Sequence, residues 1–237
     1  MRRNFLRSGG FDFGNALVSN GTTNSVATID NSFLNGSTKF SINFWAKGNG
    51  TSDAVALISK TIDTSNRVQI DYNQSTTNLR VFLNNGGANL TTFSGVYIGS
   101  GDMVTVTYDG SLSSTDRGKA YLNGSLLGNC PSNATSMITG GNFELQRVNT
   151  GLVFPFKGNI NEVGIVDGIV FTPSEISSLY NNGNGAVLTD VISGLNGTNA
   201  RYYRCNETTG ATELVDEIDV TNNGTITGAI FTDWDAI

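Results

Sequence analysis

Short runs in which apolar and polar residues alternate one for one set the tightest limit on how this chain can fold. Side chains on an extended strand point to opposite faces in turn, so such a run makes a strand with one apolar face. Phe40, Ile42, Phe44 and Ala46 share one face, with Ser41, Asn43 and Trp45 on the other. Val68, Ile70 and Tyr72 alternate with Gln69 and Asp71. Leu79, Val81 and Leu83 alternate with Arg80 and Phe82, and Val104, Val106 and Tyr108 with Thr105 and Thr107. Further on the pattern is less clean: Ile160, Glu162, Gly164 and Val166 oppose Asn161, Val163 and Ile165. One-sided strands of this kind belong to antiparallel sheets.

Turn signals separate the runs. Asn-Gly occurs at 20–21, 35–36, 49–50, 85–86, 123–124, 182–183, 196–197 and 223–224. This pair accepts positive φ at both central positions of a two-residue hairpin. Many brief strands with regular turns predict an all-β protein, an antiparallel sandwich or barrel. A length of 237 residues suits one large sandwich or two small domains, and 13 Phe and 7 Tyr can fill a core.

One helix interrupts the pattern, predicted over 173–182. Thr172 suits the N-cap, Pro173 the first helical position, and Glu175 completes a capping box with Thr172. Ile176, Leu179 and Tyr180 make an apolar face directed at the sandwich, and Gly183 can close the helix in a left-handed conformation.

Charge narrows the range of partners. The net charge is −6, and the basic cluster Arg2, Arg3 and Arg7 stands at the start of the chain. That balance disfavours nucleic acid, whose binding needs a basic footprint. No stretch approaches the ~20 apolar residues of a membrane-spanning helix, and the first ten residues hold no apolar run of a secretory signal. The expectation is synthesis in a cytoplasm, with Cys130 and Cys205 as reduced thiols rather than a disulfide.

Three segments in order carry a resemblance. The first is Phe40 to Lys47, followed by Leu57 to Lys60. The second is Val104 to Gly110, followed by Lys119 to Leu126. The third is Phe156 to Ile165, running into the capped helix and Leu179 to Gly183. Together they resemble the laminin G-like jelly-roll domains of the concanavalin A-like lectin/glucanase superfamily. The resemblance implies a jelly-roll β-sandwich over 15–237, preceded by an arm at 1–14. Two departures stand out. Asn161 occupies a position where the family usually has Asp. Tyr202 to Gly210, with Asp216 after it, looks like the segment that normally opens such a domain, yet here it closes the chain. Residues 200–237 are expected either to supply a strand in a permuted arrangement, which is preferred because domain ends often lie close together, or to dock elsewhere as an appendage.

The chain has no histidine. This removes a Ser-His-Asp or Cys-His triad, a histidine base and histidine-ligated zinc. A glucanase-like hydrolase needs two carboxylates ~5 Å apart if retaining. The nearest pattern, Glu213, Glu217 and Asp219, reads as a solvated acidic stretch, so no catalytic residue is assigned and no enzyme is expected. The resemblance admits calcium at the rim of the sandwich, with Asp63, Asp109 and Asp116 as oxygen ligands, although ordinary turn capping is the favoured reading of these residues. Glycan stacking would use exposed aromatics. Trp45, Tyr72, Tyr97 and Trp234 are the platforms available, and packing inside the fold is the favoured reading of Trp45.

Short chains with this domain and no signal resemble phage virion components. The leading expectation is therefore a non-enzymatic virion subunit, a capsid decoration or fibre-type protein. It would be homo-oligomeric and docked to capsid or tail proteins through Arg2, Arg3, Phe5 and Arg7. Weak contacts to host glycans would gain from many copies on one particle. The alternative is a carbohydrate-binding or adhesin module of a cell-surface protein.

Overall fold

Alternation produces strands, and the pairing of those strands is antiparallel throughout. The computed structural model describes residues 12–20, 26–48, 55–147 and 156–234. Strands are numbered in chain order. Sheet I runs, in space, β10 (Ser125–Cys130), β9 (Gly118–Leu122), β8 (Asp102–Asp109), β3 (Lys39–Gly48), β12 (Lys157–Asp167), β1 (Asn15–Asn20) and β16 (Ile230–Asp233), with β13 (Ala200–Tyr203) also on β12. Sheet II runs β14 (Glu213–Leu214), β15 (Gly224–Thr227), β2 (Val26–Ile29), β11 (Asn142–Leu145), β4 (Val55–Asp63), β5 (Asn66–Asn73), β6 (Asn78–Asn85) and β7 (Leu90–Phe93). The two sheets stack into a sandwich of the jelly-roll kind. Residues after Ala200 contribute β13 and β16 to sheet I and β14 and β15 to sheet II.

The apolar faces read from the alternation line the space between the sheets. Phe40, Ile42, Phe44, Ala46, Val68, Ile70, Tyr72, Leu79, Val81, Leu83, Val104, Val106 and Tyr108 belong to one buried cluster. Removing each large side chain of this set from water contributes roughly 1.5–3 kcal/mol.

Strand β12 explains its own irregular pattern. Its pairing with β3 jumps from Asn161↔Trp45 to Gly164↔Asn43, so Glu162 and Val163 together oppose Phe44. Glu162 takes φ 51°. This is a β-bulge, and one extra residue shifts the phase of everything after it. Ile160 faces the core before the bulge, and Val163 and Ile165 face it afterwards. The bulge also divides the far edge of β12: residues 157–160 pair with β1, and residues 163–166 pair with β13.

The outer face of sheet I carries Ser41, Asn43, Thr105 and Thr107 but also an apolar patch. Ala16, Trp45, Met103, Tyr121, Val166, Tyr202 and Trp234 form a second buried cluster with Phe171, Ile176, Leu179, Leu188 and Ile192. The last five come from the segment that holds α1 (Pro173–Tyr180) and α2 (Leu188–Val191). Helix α1 has the expected capping box: Glu175 N donates to Thr172 Oγ1, and Thr172 N donates to Glu175 Oε2 at 2.7 Å. It ends two residues earlier than predicted, because Asn181 adopts the left-handed conformation (φ 47°) before Gly183 is reached. Asparagine tolerates this geometry better than other residues with a Cβ. Both cysteines are buried and free.

Candidate functional site

With sheet I closed by the helices, the outer face of sheet II becomes the place to look for a site. Register places Ser59, Gln69 and Phe82 opposite one another across β4, β5 and β6. The same face carries Thr61, Arg67 and Asn84 in one adjacent row, and Asp71 and Arg80 in the other. These side chains form a connected polar array. Arg67 Nη1 donates to Gln69 Oε1 at 3.1 Å, and Gln69 Nε2 donates to Asp71 Oδ1 at 2.7 Å. Arg80 Nη2 meets Asp71 Oδ2 at 2.7 Å. Both guanidinium groups lie over the ring of Phe82, at 3.8 Å for Arg67 and 5.6 Å for Arg80. One strand further, Arg147 Nη2 pairs with Glu144 Oε1 at 2.7 Å, and Glu144 stands opposite Ser59.

Gln69 and Asp71 are 1% exposed, so the array is held firmly. Burial pushes the Asp71 carboxyl up, against the pull of Gln69 and Arg80. Burial, helped by the neighbouring charge of Arg80, pulls Arg67 below the usual guanidinium range. Phe82 is 6% exposed beneath Arg67, so the groups that reach solvent are the half-buried Arg67, Arg80 and Arg147. Phe82, Gln69, Asp71 and Glu144 brace them from below. Guanidinium edges held in this way can hydrogen-bond a polyhydroxylated ligand. Sheet packing selects these residues by parity. They alternate with the core residues Val68, Ile70, Tyr72, Val81 and Leu83 and so must face outward.

The residues singled out from the sequence are scattered. Trp45 is 3% exposed and stacks on Tyr180 at 5.8 Å, beneath the helices. Tyr72 is 1% exposed, inside the sandwich on the parity of Val68 and Ile70, where its hydroxyl accepts from Ile98 N at 3.1 Å. Neither turns a ring to solvent: Trp45 is packed as its favoured reading had it, and the candidate role of both as stacking platforms is corrected. Trp234 is 6% exposed and stacks on Phe13 at 5.5 Å. Tyr97, by contrast, is 66% exposed, in the segment between β7 and β8.

The three aspartates do not converge either. Asp63 accepts from Ser65 N and Asn66 Nδ2. Asp109 accepts from Ser111 and pairs with Lys39 at 3.0 Å. Asp116 accepts from Ser113, Thr115 and Asn129. Each carboxylate is engaged by its own turn or an adjacent strand, and among the described residues no group of three or more His, Cys, Asp or Glu could hold a metal. These residues do not fit a calcium site. Glu213 bonds Asn223 and Asp219 caps the turn at 220–222, so they form no acidic pair. Arg2, Arg3, Phe5 and Arg7 lie outside the described residues.

A second buried polar group went unread in the sequence. Glu162, 3% exposed on the bulge, accepts from the Tyr202 hydroxyl and pairs with Arg204 Nε at 3.0 Å. Arg204 also reaches Asp12 O at 3.1 Å. Burial pushes the Glu162 carboxyl up to about 7. The group ties β12, β13 and the entry to β1 together.

Two stacked antiparallel sheets with a single capped helix over one of them define a lectin-type β-sandwich. The chain belongs to the concanavalin A-like lectin/glucanases superfamily, whose laminin G-type family model matches residues 20–177. Among solved structures it is similar to a Bacteroides ovatus protein to which carbohydrate binding is ascribed. That likeness has 16% identity and a TM-score of 0.67, and it covers 95% of this chain and 61% of the other. This chain therefore spans less than two thirds of that relative's length. Domain 4 of an extracellular arabinanase from Geobacillus stearothermophilus, in complex with arabinotriose, is similar at 21% identity and TM-score 0.52, covering 69% of this chain and 75% of that domain. The CBM40 of a Ruminococcus gnavus IT-sialidase, bound to α2,3-sialyllactose, is similar at 15% identity and TM-score 0.54, covering 72% of this chain and all 100% of that module. A sequence comparison with curated proteins gives no match.

Proposed function

We propose that this chain is a non-catalytic carbohydrate-binding module whose binding surface is the outer face of sheet II. The observation that carries the reading is the preorganised array Arg67–Gln69–Asp71–Arg80 around Phe82, on the sheet face opposite the helix-covered side of the sandwich. The kinship of fold to a sialidase module and an arabinanase domain, both bound to oligosaccharides, supports this reading over that of a virion subunit. Asp71 and Glu144 are each paired to an arginine at 2.7 Å. At 1% and 2% exposure they brace the arginines from beneath and do not reach a glycosidic bond. The exposed ring of Tyr97 is a second contact candidate.

The test is calorimetric titration against a panel of oligosaccharides, run beside an assay for released reducing sugar. The parent protein is expected to bind at least one oligosaccharide and to release none. Gln69→Ala and Phe82→Ala, checked by thermal melting, are expected to weaken that binding by about tenfold or more. Tyr97→Ala reports whether the second contact takes part. Unchanged affinity in the Gln69 and Phe82 variants, or sugar release by the parent, contradicts the reading.

A further inference from the structure

We propose that Arg67 is the anchor for a carboxylate, so that the glycan taken by sheet II contains an acidic sugar; this rests on the carbohydrate-binding reading above. Three arginines stand on this face, and two are matched. Arg80 has Asp71 and Arg147 has Glu144, each at 2.7 Å. Arg67 makes no ion pair among the described residues. Its guanidinium rests 3.8 Å from the Phe82 ring centroid and is steered by one hydrogen bond, to the neutral Gln69 amide. Asp71 and Asp63 act on this half-buried cation only from a distance, so no carboxylate touches the guanidinium directly.

A second observation lies beside it. Thr61 stands directly across β4 from Arg67. It is 3% exposed, and its Oγ1 is buried with no partner. Arg67 Nε is likewise buried without a partner. Both atoms are enclosed, so the part of Arg67 open to a ligand's acid group is the Nη end of its guanidinium, where Nη1 already holds Gln69. Arg67 and Arg80 balance Asp71 and Asp63, so the patch is neutral within a chain of net charge −6. That contrast selects a ligand with an isolated anionic group over a polyanion, which the whole molecule repels. The planar guanidinium fork fits a carboxylate in two parallel hydrogen bonds.

The experiment is calorimetric titration of the full chain with two matched pairs of probes. One is 3′-sialyllactose against lactose. The other is trigalacturonate against its methyl ester. The parent is expected to bind an acidic member about tenfold or more tighter than its neutral partner, and Arg67→Gln to bring the two together, with Arg67→Lys in between. A measurement that needs no variant follows the Arg67 Nε–H resonance in 15N-labelled parent protein, which the acidic probe shifts and the neutral one does not. Equal binding of acidic and neutral members overturns the carboxylate anchor and leaves the sugar-binding face standing. So does a preference that survives in Arg67→Gln. Binding of no probe in either pair and of no oligosaccharide in the wider panel overturns both.

Discussion

Glu162 shows how much a single side chain can draw from its position. Its ordinary value of 4.5 rises to about 7 because burial disfavours the carboxylate more than the Tyr202 hydroxyl and Arg204 favour it, with Glu217 adding repulsion. Between those two values the folded protein keeps a proton that the unfolded chain has released. Folding stability from this group therefore falls as pH rises from about 4.5 to about 7, by up to roughly 3 kcal/mol. Glu162→Gln removes that slope. Urea unfolding of parent and variant across this range is expected to give a stability difference that shifts steadily in favour of the variant as pH rises. A difference that stays constant contradicts the assignment. The sequence could not show this group, because Glu162, Tyr202 and Arg204 meet only through the pairing of β12 with β13. The same applies to Lys60. It is fully buried, its ammonium donates to Asn31 O at 2.6 Å, and burial lowers it to about 8. Parity places it inside, yet nothing local says that a carbonyl waits there.

Elements were more legible than residues, for a physical reason. Alternation and capping are local, so the faces of β3, β5, β6 and β8 and the start of α1 could be read directly. Turn chemistry was legible only in part. Asn123–Gly124 takes positive φ at both positions (51° and 79°) and joins β9 to β10 as a two-residue hairpin. Asn182–Gly183 has the same signs but closes a helix, and in Asn196–Gly197 and Asn223–Gly224 neither residue is left-handed. The dipeptide permits that geometry without imposing it. The bulge in β12 was visible only as a broken pattern. It is fixed by Asn161, whose amide donates to Phe13 O at 2.9 Å and Asn15 O at 2.8 Å while its Oδ1 accepts from Glu162 N. An ionised aspartate could not donate to these two carbonyls. Asn161→Asp is expected to cost about 2 kcal/mol or more, since two buried carbonyls would face a carboxylate. Chemical denaturation measures it, and an unchanged midpoint contradicts this role.

At the scale of the molecule, two unequal outer faces decide what the sandwich can do. Sheet I is apolar within and carries a second apolar patch outside, beneath the helices. Sheet II is apolar within and polar without. The array on sheet II was present in the sequence as the polar half of each alternating run, with Phe82 as the aromatic on the polar parity. It went unread because single alternations do not say which strands are neighbours, and the site exists only once β4, β5 and β6 lie side by side. The direct measurement is a 15N-resolved NMR titration of the chain with an oligosaccharide it binds. Resonances of residues 59–61, 67–71, 80–84 and 144–147 are expected to move together. Shifts confined to the helices over sheet I, or to the segment around Tyr97, contradict the assignment of sheet II as the binding face.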